Sequence, residues 1–96
     1  MTEGRWQVYM IRGDDNCLYT GITTDMTRRW REHCAGVRGA RYFRGRSPRE
    51  LCYLEAHPDR SSASRREYAI KQLTRAAKEQ LIASAPAPVQ PPGNNE

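Results

Sequence analysis

The 96-residue chain contains no run approaching the roughly 18 consecutive apolar residues that a membrane span requires. No secretory leader opens it, so a cytoplasmic protein without membrane contact is expected. The three cysteines, Cys17, Cys34 and Cys52, are odd in number and form no C-x-x-C pair. That excludes a disulfide framework and a four-cysteine zinc site. His33 adjoins Cys34, but neighbouring helical residues diverge by about 100° and do not converge on one ion. The thiols read as small buried side chains in a reducing compartment. At 96 residues there is also too little chain for a separate cofactor-binding module. The core is thin, because a domain this small buries only about 60 to 65% of its unfolded surface.

Lysine is equally scarce. Of sixteen basic residues all but Lys71 and Lys78 are arginine, and with eleven acids the net charge is +5. Arginine presents a rigid planar fork that grips phosphate oxygens in pairs, whereas lysine acts as a point charge. A phosphate-bearing partner is therefore favoured. Eight arginines (28, 29, 31, 38, 41, 44, 46 and 49) lie between positions 28 and 49 against a single acid, Glu32, so this segment alone carries +7. A compositional bias could explain the total but not the clustering.

Strand formers fill Trp6 to Arg12 and Cys17 to Thr23, and the intervening Gly13-Asp14-Asp15-Asn16 is a turn cluster, so a hairpin is expected. Thr24 or Asp25 can cap a helix from Met26 that stops before Gly36, a residue suited to a C-cap. Gly36 to Pro48 reads as a long basic loop with Arg38, Arg41, Arg44 and Arg46, and Arg49 follows it. A third strand over Glu50 to Ala56 precedes a helix from about Ser62 to Leu73. Thr74 can cap a third helix ending near Ala83. The expected fold is α+β, a sandwich-like arrangement with a small three-stranded mixed or antiparallel sheet in the order β-β-α-β-α-α, flanked by helices. Residues 1–83 form one domain, and 84–96, holding four of the six prolines, read as a disordered tail.

Helical periodicity singles out several side chains. On the first helix Trp30 and Cys34 define the buried stripe, Arg29 and His33 lie at its edge, and Arg28, Arg31 and Glu32 point away. Arg29 and His33 could face along the sheet or simply lay their stems over the core margin. On the second helix Glu67 falls on the face of Ala63, Ile70 and Thr74. A carboxylate there is costly unless paired, hydrogen-bonded or bound to a cation. The alternative is an i,i+4 pair with Lys71. Tyr9 and Tyr19 sit on the two hairpin strands, where packing is the ordinary role. Gly21, two residues after Tyr19, would let a backbone or substrate come close.

In combination, Gln7-Val8-Tyr9, Tyr19-Thr20-Gly21-Ile22-Thr23, Arg28-Arg29 with His33, and Arg66-Glu67-Tyr68-Ala69-Ile70-Lys71 resemble the GIY-YIG nuclease superfamily. The tyrosines stand ten apart, Arg29 follows Gly21 by eight and His33 follows Arg29 by four. The likeness spans about Trp6 to Ile82 and is nearest to the short stand-alone bacterial members, which the Gly39 to Tyr42 and Ser47 to Leu51 segments also resemble. Gln-Val stands where the family name has Gly-Ile, and Thr20 replaces isoleucine.

The resemblance implies a metal-dependent endonuclease that hydrolyses phosphodiester bonds in DNA, including branched or damaged DNA in repair or recombination. DNA is preferred to RNA as the partner. It implies that Glu67 holds Mg²⁺ or Mn²⁺, and that Arg29 neutralises charge on the phosphoryl oxygens. Tyr9, more than Tyr19, would help deprotonate water, with its phenol pulled down by Arg29 and the metal. Tyr19 would orient water or phosphate, and His33 would orient or shuttle a proton. Arg28, Arg38, Arg41, Arg44, Arg46, Arg49 and Lys71 would hold the nucleic-acid backbone. The reading from another class is a non-catalytic nucleic-acid-binding module that acts with a protein partner. Such a partner could equally supply targeting to the enzyme.

Overall fold

The structure, a computed structural model, describes residues 5–36 and 47–91. Three strands, β1 (Trp6–Gly13), β2 (Leu18–Thr23) and β3 (Pro48–His57), form a sheet in the order β2-β1-β3. Both pairings are antiparallel, so of the two arrangements left open by the sequence the mixed one is set aside. Helix α1 (Met26–Ala35) joins β2 to the segment before β3, and α2 (Arg60–Lys71) and α3 (Arg75–Ser84) follow. None of the described helices is long and apolar enough to cross a membrane. Arg38, Arg41, Arg44 and Arg46 lie outside the described residues.

Local chemistry sets the helix ends. The Asp25 side chain accepts from the Arg28 amide at the start of α1, Asp59 does the same for Ser62 on α2, and Thr74 for Ala77 on α3. Each satisfies one of the amides that a helix start leaves unpaired. Asp59 moves the start of α2 upstream of the serine-rich stretch expected to open it. Gly36, at φ 70°, closes α1 in the left-handed conformation that suits glycine, and its amide donates to the carbonyls of Glu32 and His33.

Alternation along the central strand β1 divides the core between the two faces of the sheet. Val8 and Met10 pack with Cys52, Tyr53, Ala63 and Ile70 beneath α2 and α3. Tyr9 and Ile11 pack with Trp30 and Leu51 beneath α1. A bulge after Met10 lets β3 keep both Cys52 and Tyr53 on the first of these faces. Burial raises the Cys52 thiol to about 11, so it is an inert core side chain.

Polar ties hold the outer elements. Arg12 grips Glu79 on α3 through two hydrogen bonds of 2.8 Å, and Arg75 joins Glu79 while also donating to the Asn16 carbonyl in the β1–β2 turn. The Arg12 hydrogen bonds hold the Glu79 carboxyl down to about 2. On β3, Glu55 accepts from Tyr53 and Arg66 and meets His57, which in turn reaches Ser62 on α2. Beyond α3 the chain returns along β3. The Gln90 amide accepts from the Leu51 N–H at 2.9 Å and donates to the Leu51 carbonyl at 2.8 Å.

Candidate active site

Tyr9 lies directly opposite Gly21 in the β1–β2 pairing, and Tyr19 lies opposite Ile11. With a two-residue period, all four side-chain positions share the sheet face that α1 covers. A Cβ on Gly21 would stand 2.5 Å from the Tyr9 hydroxyl oxygen and 2.7 Å from its Cζ. What approaches this glycine is thus the phenol of Tyr9, which lies across the bare backbone of β2.

Helix α1 brings two further groups to that phenol. His33 Nε2 is 2.8 Å from the Tyr9 hydroxyl, and Arg29 Nε–H donates to the same oxygen at 3.3 Å. The His33 ring meets that of Tyr19 edge-on at 66°, with centroids 4.9 Å apart, and the Tyr9 and Tyr19 rings are separated by 6.1 Å. Tyr9, Tyr19, Arg29 and His33 therefore form one contiguous cluster.

Three residues of α1 differ from their expected placement. His33 is fully buried and shares the inward stripe with Trp30, whereas Cys34 is only half-buried. Seated between two tyrosine rings, the imidazole pulls the stripe round by about 50° from the Trp30–Cys34 line. Glu32, expected to point away, instead accepts from Arg29 Nη1 at 2.8 Å. The i,i+3 spacing of an arginine and an acid was the available signal for this contact.

The remaining candidates are spread more widely. Glu67 is half-buried on α2, which packs against β1 and β2, and its carboxylate meets Lys71 Nζ at 3.0 Å. That i,i+4 pair is the alternative requiring no ligand. Arg28 is exposed on α1 and Arg49 is exposed near the start of β3. Among the described residues no group of three or more His, Cys, Asp or Glu could hold a metal.

Burial and charge set the protonation of the cluster. Burial, then the neighbouring Tyr19, push the Tyr9 phenol above its ordinary value and outweigh the pull of Arg29. Arg29 does lower this phenol, through its hydrogen bond and its charge, but in the free protein that pull does not offset burial. Burial, with Arg29 adding to it against an opposing Glu32, brings His33 down to about 4. His33 is thus neutral at pH 7, with one ring nitrogen able to accept a proton. Burial opposes the charge on Arg29, but the hydrogen bonds it donates to Glu32 and Tyr9 more than restore it.

A stability signature follows from His33. Between its unfolded value of about 6.5 and its folded value of about 4 the unfolded chain binds more protons. The contribution is present above pH 6.5 and declines as the pH falls to 4. Urea titrations across that window should show a steeper loss of stability in wild type than in His33→Asn. Parallel curves would mean that His33 is not held neutral.

A family model described as the GIY-YIG catalytic domain matches residues 5–80. The chain is 52% identical to UPF0213 protein DP2720 of Desulfotalea psychrophila, over 80% of this chain and 70% of that protein. It is 51% identical to UPF0213 protein YhbQ of Salmonella typhimurium, over 80% and 76% respectively. The solution NMR structure of UPF0213 protein BH0048 from Bacillus halodurans is similar at 44% identity. It covers 81% of this chain and 82% of that one, with a TM-score of 0.53.

Proposed function

Because the chain belongs to the GIY-YIG nuclease family, we propose that it is a metal-dependent endonuclease that hydrolyses phosphodiester bonds in DNA, with Tyr9, Tyr19, Arg29 and His33 as the reacting cluster. The observation that carries this reading is the meeting of Arg29 and neutral His33 on the single hydroxyl of Tyr9.

A phenol with a raised pKa is a poor base if it must become phenolate. It need not do so with His33 at 2.8 Å. With the His33 proton on Nδ1, the Tyr9 hydroxyl passes its proton to Nε2 while its oxygen takes one from the attacking water. The water oxygen bonds to phosphorus as the ester P–O bond breaks, and the departing alkoxide leaves as an alcohol after taking a proton from solvent. Arg29 holds charge on the non-bridging oxygens, where a planar fork serves better than an ammonium. Tyr19, against the His33 ring, orients water or phosphate. Arg28, Arg49 and Lys71 contact the backbone, together with Arg38, Arg41, Arg44 and Arg46.

Mg²⁺ fits the donor set in one specific way. Glu67 provides a hard carboxylate oxygen but no cage, and Mg²⁺ is commonly held by one carboxylate, substrate phosphate and waters. The ion would then be recruited with the nucleic acid, loosening the Lys71 pair. When bound, it supplies charge neutralisation at the scissile phosphate. Mn²⁺ suits the same oxygens.

The test is incubation of purified protein with plain, flapped and branched DNA, with and without Mg²⁺ or Mn²⁺. Cleavage should require the metal and fall by about tenfold or more in Glu67→Ala and Arg29→Ala. Equal cutting by these variants would assign the activity to contamination. Salt-sensitive binding without metal-dependent cleavage of any substrate would replace the enzyme with a binding module acting beside a partner.

A further inference from the structure

The Tyr9 cluster includes an acid that the chemistry above does not use. Glu32 is the single acid between positions 28 and 49, and its side chain is 20% exposed beside that of Arg29 at 18%. Its Oε1 accepts from Arg29 Nη1 at 2.8 Å, while Oε2 lies 3.7 Å from Nε of the exposed Arg28. Arg29 is therefore held at two points, Nε on Tyr9 and Nη1 on Glu32.

We infer that Glu32 is a positioning residue, fixing the plane of the Arg29 guanidinium so that its other donors meet phosphate oxygens in one orientation. The inference rests on the nuclease reading of the site. A guanidinium is rigid and planar, so two anchors on different nitrogens remove the rotation that a single contact would leave. The stem of Arg29 carries several rotatable bonds, and misplacement by about 1 Å at a reacting group can cost two orders of magnitude in rate. The same carboxylate opposes phosphate binding, since it places negative charge beside the arginine that must grip an anion. Placement and affinity thus respond to Glu32 with opposite signs, which makes them separable.

Glu32→Gln keeps an acceptor oxygen for Nη1 but removes the charge. It should hold kcat within about twofold of wild type and lower KM, most clearly at low salt. Glu32→Ala removes the acceptor and should lower kcat about tenfold. A second measurement needs no turnover: the Arg29 Nε–H resonance in ¹⁵N spectra, assigned with Arg29→Lys. It should be protected from exchange in wild type and Glu32→Gln, and lose that protection in Glu32→Ala. Unchanged kcat in Glu32→Ala overturns the inference, as does a Glu32→Gln variant as slow as Glu32→Ala. If wild type cuts nothing, the nuclease reading fails, and the Nε–H resonance still decides whether Glu32 places Arg29.

Discussion

Tyr9→Phe is expected to lower metal-dependent DNA cleavage by about 10²- to 10⁴-fold, the range for loss of a general acid–base group, while leaving the fold in place. The hydroxyl is the point where Arg29 and His33 converge, and its removal breaks both contacts while sparing the ring. The ring continues to pack with Ile11, Trp30 and Leu51. Thermodynamic cost should be on the order of 1 to 2 kcal/mol, because the buried Nε2 of His33 loses its hydroxyl partner. Tyr19→Phe, on a half-buried ring, should cost less in rate. Measuring initial rates alongside urea unfolding separates the two effects. A Tyr9→Phe rate within threefold of wild type would place the base elsewhere.

Gly21→Ala should be nearly as damaging by a different route. The added Cβ would meet the Tyr9 hydroxyl at 2.5 Å and Cζ at 2.7 Å, separations at which one of the groups must move. The far end of a tyrosine would normally swing aside, but here it is fully buried and engaged by His33 and Arg29. We expect about 1 to 3 kcal/mol of lost stability from overpacking and a cleavage rate lower by about 10²-fold from displacement of the hydroxyl. The two substitutions should combine less than additively, since both act on the same hydroxyl. Thermal unfolding and single-turnover cleavage check both parts. Wild-type stability together with a wild-type rate in Gly21→Ala would show that the Tyr9 ring does not rest on Gly21.

Elements with strong local signals were legible from the residues alone. The Gly13 to Asn16 turn, the Asp25 cap, Gly36 and Thr74 mark ends that sequence reasoning finds because each is a short-range hydrogen-bonding or backbone problem. The side-chain directions on α1 were less legible. A wheel built on Trp30 and Cys34 treats histidine as a marginal residue, yet His33 is wholly buried because a hydroxyl partner and two tyrosine rings await it on the sheet. That partner is 24 positions away in sequence, beyond anything helical spacing reports. The direction of Glu32 is hidden from the wheel for the same reason, since it is set by the contact with Arg29. Arg12 and Glu79, 67 positions apart, had no pattern to connect them.

The contact between Gln90 and Leu51 bears on self-association. β3 is an edge strand, and an open edge invites a strand from another molecule. At Leu51 the N–H and the carbonyl are both already taken by one carboxamide, the same donor–acceptor exchange that a residue of a fourth strand would make. The segment carrying that carboxamide cannot itself become such a strand, because Pro86, Pro88 and Pro91 have no N–H to offer a further neighbour. The glutamine thus ends the sheet at Leu51, while its proline surroundings keep the added segment from serving as the template for another copy.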